Sequence, residues 1–206
     1  PGHVITVWGY DSKKKHFLVT DTEREDLIEV PFENMRRARY NTGGFFEIMG
    51  NMFSPETISM PEDLSAVISR AIAFNSRVIL NDAHDFQGIV GLKKWQKEVM
   101  DWGDLTDWQW TARFTYQVIE RRGTGGGGFR LMYGDFLREA GQYVPQIASM
   151  GLDEQMYEVG RAWQDLAMAL KAASENDRPD FRDVSEKLHI VSRSESAYPR
   201  EAVTLG

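Results

Sequence analysis

Between Leu152 and Ala173 the apolar residues Leu152, Met156, Val159, Trp163, Leu166, Leu170 and Ala173 follow one another at alternating spacings of four and three. Only an α-helix gathers such positions into one stripe, and a stripe this long has to be covered by other helices. Asn176 to Pro179 ends it. The same period, less strictly kept, predicts helices from about Ser59 to Ile79, Gly88 to Trp102, Thr106 to Arg122, Gly128 to Val144 and Asp180 to Arg193. Pro61 and the acids around it suit a helix N-terminus. Past Arg193 the tail reads as loose.

Upstream the pattern is different. HVITVWGYD, beginning at His3, is β-branched, aromatic and nearly unbroken in hydrophobicity, as a buried strand is. Asp11 to Lys15 breaks it and HFLVTDT resumes it, which predicts a hairpin with a loop of about four or five residues. PFENMRRARY, with Pro31 as its first helical residue, predicts a short helix. FFEIM, from Phe45, reads as a third strand or as part of a glycine-rich loop. The fold class expected is α+β: an antiparallel hairpin followed by a mainly α-helical bundle.

Composition narrows the function. The 206 residues are 42% hydrophobic and 27% charged, which suits a globular chain with a real core. No run approaches eighteen consecutive apolar residues, so no transmembrane helix is expected. A net charge of -7, from 31 acidic against 24 basic residues, gives no general pull towards nucleic acid or an anionic membrane. With zero cysteines, disulfides, thiolate metal sites and a cysteine nucleophile within this chain are excluded. The lack of cysteine also points to a cytoplasmic setting. The chain starts at Pro1 rather than Met and enters a strand almost at once, so further sequence is expected upstream, and any targeting signal with it.

If the hairpin loop is centred near Lys13, position 3 faces a residue near 23, and Asp21 becomes the diagonal neighbour of His3 on one face. A carboxylate that holds an imidazole in one tautomer is what an acid–base histidine needs. The same spacing also fits a strand end and a turn without chemistry. The run Gly123 to Gly128 precedes Phe129 and Arg130 at a helix start. Backbone N–H groups of Gly125, Gly126, Gly127 and Gly128, with Arg130 and Tyr133, could hold a carboxylate or phosphate, as could Arg121, Arg122 and Arg138 nearby. The run equally suits a flexible helix–helix connection. It is neither a Walker loop nor a dinucleotide fingerprint. Asp82, His84 and Asp85 are too few for a defined metal site, and no metal or cofactor is expected. The tryptophans Trp95, Trp102, Trp108 and Trp110 read mostly as core. Arg36, Arg37 and Arg39 read as a solvated helix face or as a patch for an acidic partner.

HVITVWGYD followed by a strand ending in LVTDT resembles the second half of papain-like folds of the bacteriocin-leader peptidase type. GIVGLKKW, YQVIERRGTGGGGFRLMYGDFLREA and AWQDLAMALKAA resemble the helical domain that follows the hydrolase-like half in proteins similar to the butirosin-biosynthesis H protein. The resemblance spans nearly the whole chain. It implies residues 1–55 as the carboxyl-terminal part of a papain-like domain and 56–206 as a helical domain. It also implies an acyltransferase or amide hydrolase that carries an acyl group on a cysteine upstream, with His3 as general base and Asp21 as the acid orienting it. The partners it implies are an amine or amide substrate and an acyl carrier protein. Homo-oligomerisation, or association with the missing amino-terminal part, would cover the hairpin edge. The rival expectation is a catalytically silent helical module for binding or assembly.

Overall fold

The computed structural model describes residues 3–21, 24–41 and 48–206. The protein is α+β, and it divides into two compact units, Pro1–Ser59 and Met60–Gly206.

The first unit holds an antiparallel sheet in the order β1 (Thr6–Asp11), β2 (His16–Thr20), β3 (Ile28–Pro31), followed by α1 (Phe32–Arg39). Asp11 closes the hairpin turn by accepting from the N–H groups of Lys13 and Lys14, at 2.8 and 3.0 Å. This is the local turn chemistry that aspartate favours. Phe17 pairs with Tyr10 and Val30, and Val19 pairs with Val7 and Ile28, so these residues share one face. The Phe32 ring lies 4.5 Å from that of Phe17, and Val19 and Met35 are buried. Among the described residues the third strand is IEVP. Ile48 and Met49 lie outside any strand, and 45–47 are not among the described residues. Pro31 ends β3 instead of opening the helix. Its fixed φ suits both conformations, and its ψ of 140° is extended.

The second unit is built around α7 (Leu152–Ser174), whose seven stripe residues are all buried. It packs against α4 (Trp108–Glu120), α5 (Arg130–Ala140) and α8 (Arg182–Ala202). The helices α2 (Leu64–Leu80) and α3 (Gly88–Glu98) pack on α8, and the short α6 (Pro145–Ser149) joins α5 to α7. Asp63 caps α2 by accepting from Ala66 N–H at 3.0 Å.

The tail corrects the sequence expectation. The chain stays helical to Ala202, and Tyr198 and Ala202 are buried. Val184, Leu188, Val191, Glu195, Tyr198 and Ala202 again alternate four and three. A glutamate within the stripe, serines around it and Pro199 near its end hide the period. No helix among the described residues is long and apolar enough to cross a membrane.

Candidate functional site

His3 Nε2 lies 2.6 Å from Asp21 Oδ1. Thr6 pairs with Thr20, so one further step sets Ile5 opposite Asp21, and two more bring His3 to its diagonal position. Of the two side chains Asp21 is the better covered, 32% exposed against 56% for His3. With the carboxylate accepting from Nε2–H, the neutral ring keeps its lone pair on Nδ1. That nitrogen can accept a proton from a thiol or amine, while Asp21 stabilises the imidazolium that results.

Within the glycine run several polar groups bond to the chain itself. Gly127 N–H donates to Glu120 Oε2 at 3.0 Å, and Gly126 N–H to Thr124 Oγ1 at 3.3 Å. Thr124 is buried and donates to Ile119 C=O at 2.7 Å. Gly127 has φ +57°, and a Cβ there would fall 2.7 Å from the carbonyl oxygen of Gly160 on α7. Arg130 turns inward, with its Nε 2.6 Å from Glu195 Oε1 and Nη1 donating to Gly128 C=O. Tyr133 meets the hydroxyl of Tyr198 at 3.2 Å, and burial pushes both phenols up. The exposed Gly125 packs near Met132. The N–H groups of Gly126 and Gly127 and two nitrogens of Arg130 are thus engaged by the chain itself, while the Tyr133 hydroxyl accepts from Tyr198. The segment is a joint that lets α4 and α5 follow one side of α7. Sequence reasoning missed Glu120 and Glu195; for Glu195 the one signal was a carboxylate in an otherwise apolar stripe.

The other candidates are dispersed. Arg138 reaches Glu154 at 2.8 Å and Asp153 at 3.4 Å, and Arg122 lies over Phe114. Asp85 pairs with Lys94 at 2.7 Å, and His84 stacks on Phe86. Among the described residues no group of three or more histidines and carboxylates is placed to hold a metal ion. Arg36 pairs with Glu33, and Arg39 donates to Gly50 C=O. Trp95 stacks on Trp102, Trp108 meets Phe181 edge-on, and Trp110 stays exposed.

An open cleft of about 850 Å³ lies where α7 turns into α8, lined by Asp104, Asp177, Arg178, Asp180 and Arg182 among others. Asp180 accepts from Arg182 at 2.6 Å, which lowers its pKa to about 2.

No curated protein and no solved structure matches this chain. A family model described as a domain of unknown function (DUF4872) matches residues 33–202, which takes in α1 and nearly all of the helical unit and leaves β1–β3 outside. The chain therefore belongs to the family of that domain of unknown function.

Proposed function

We propose that this chain is the carboxyl-terminal portion of a cysteine-dependent acyltransferase or amide hydrolase. The observation that carries the reading is the His3–Asp21 pair, with His3 Nε2 2.6 Å from Asp21 Oδ1. Further support is the resemblance of the flanking strands to the second half of a papain-like fold. The nucleophile is a cysteine in polypeptide preceding His3, because this chain contains none.

In the first half-reaction His3 Nδ1 takes the thiol proton, and the thiolate attacks the thioester or amide carbonyl. The donor's thiol or amine leaves with the proton that His3 returns. In the second, an amine or water attacks the enzyme thioester and gives its proton to Nδ1, and the cysteine sulfur is released as the leaving group. An acyl carrier protein is the proposed donor, a small amine the proposed acceptor, and the cytoplasm the proposed setting.

The test uses the protein together with its preceding polypeptide and follows acyl-enzyme formation from a thioester. His3→Ala lowers the acylation rate by about 100-fold or more, and Asp21→Asn lowers it with the donor's KM little changed. Unchanged labelling of the cysteine in His3→Ala removes His3 from the mechanism.

A second reading, a silent assembly module, draws on the helical unit. Trp110 and Phe114 leave large apolar surfaces exposed on α4, and the glycine loop is filled by the chain's own side chains. A preceding polypeptide without a cysteine would favour it.

A further inference from the structure

Near the turn, Asp11 pairs with His16, Tyr10 with Phe17, and Gly9 with Leu18; beyond Trp8 the pairs are Val7 with Val19 and Thr6 with Thr20. Trp8 is passed over, a one-residue bulge in β1. A regular ladder continued from Gly9 and Leu18 would pair Trp8 with Val19 and Thr6 with Asp21. Side chains alternate along a strand, so His3 would then project on the face opposite Asp21. The extra residue reverses this. It shifts positions 3–7 by one, and His3 and Asp21 meet at 2.6 Å. Bulges re-aim side chains in this way.

A side-chain bond fastens the bulge. Trp8 Nε1 donates to Thr20 Oγ1 at 3.0 Å, and Thr20 directly precedes Asp21. Trp8 is 69% exposed, so burial does not account for the orientation of its ring. We propose that Trp8 is a positioning residue: its bulge sets the face on which His3 projects, and its indole bond to Thr20 holds that register beside Asp21. The inference rests on the acid–base reading of His3 for its functional meaning and can fail separately from it.

The test is NMR on this chain, with the His3 ring nitrogen shifts and the cross-strand contacts of Thr6 as readouts. Trp8→Phe keeps a ring and removes the N–H, and Thr20→Val keeps the shape and removes the acceptor. Each lowers the ratio of paired to unpaired His3 about fivefold, the loss expected for one hydrogen bond. Thr6 then moves from Thr20 to Asp21, while the Phe17–Phe32 ring contact reports an intact sheet. Deleting Trp8 in the Thr20→Val background is the rescue. Without the extra residue, Val7 meets Val19 in a regular ladder and His3 returns to Asp21.

Trp8→Phe and Thr20→Val variants that both keep the His3 signature overturn the proposal, as does a deletion that detaches His3. Acylation by the longer protein separates the two ideas. If the His3 signature responds to Trp8→Phe and acylation does not, the acid–base reading falls and the positioning by Trp8 stands.

Discussion

Arg130 and Glu195 join α5 to α8 through a contact of 2.6 Å, and Trp163 Nε1 on α7 donates to the same carboxylate oxygen, also at 2.6 Å. The Glu195 side chain is 4% exposed and that of Arg130 is 32% exposed. The guanidinium also lies 5.1 Å from the Trp163 ring. One carboxylate thus ties together three helices that are far apart in sequence. Glu195→Ala strands the cation and an indole N–H, and should destabilise the fold by about 3 kcal/mol, the lower part of the range for a broken buried pair because Arg130 is partly wet. The Arg130→Met, Glu195→Leu double variant removes both charges and should recover most of that loss. Urea unfolding, read as the shift in midpoint at constant slope, measures both.

Gly127 and Gly160 set a second test of packing. Gly127→Ala meets the backbone oxygen of Gly160, and backbone cannot turn aside as a flexible side chain can. With the added strain of a positive φ, the expected loss is about 2 to 3 kcal/mol. Gly123 also has positive φ, +76°, but a Cβ there would meet nothing within 4 Å. Gly123→Ala should therefore lose only about 1 kcal/mol. Equal thermal shifts for the two variants would show that α4 and α5 do not pass α7 at this point.

The Tyr133–Tyr198 pair predicts a sensitivity to alkali. Burial is the main cause raising both phenols above their ordinary 10.0. A group whose folded pKa is raised contributes its full stability below the unfolded value. Stability should then fall as pH rises above about 10, because unfolding lets the phenols ionise. Tyr198→Phe should flatten that fall while keeping the ring in place. Unfolding midpoints measured from pH 8 to 11 would decide it, and an unchanged slope would exclude Tyr198 as the source.

Removal of the last thirteen residues separates a loose tail from a structural one. Residues 194–206 include Glu195, Tyr198 and Ala202, all buried in the helical unit. A chain ending at Arg193 should lose cooperative unfolding altogether, read by near-ultraviolet circular dichroism and a thermal scan. A truncated chain with the melting temperature of the full one would return the tail to surface status.

Much of this protein was legible in its residues. The period of α7 was, since burying a stripe at spacings of four and three is a local demand that any partner helix satisfies. The hairpin was, since Asp11 and the lysines after it carry the turn within their own side chains and backbone. The contact of His3 with Asp21 followed from a loop centre at Lys13, although the ladder reaches it only through the bulge at Trp8.

Tertiary structure decided the rest. A helical stripe that includes a glutamate looks broken until Arg130 and Trp163 arrive from other helices to satisfy it. The glycine run does not itself disclose that Glu120 takes the Gly127 N–H or that the Gly160 carbonyl closes the space beside it. Local propensity depends on neighbours in sequence. The solvation of a buried carboxylate, the availability of an N–H and the face of a strand depend on neighbours in space, and only the folded chain supplies those.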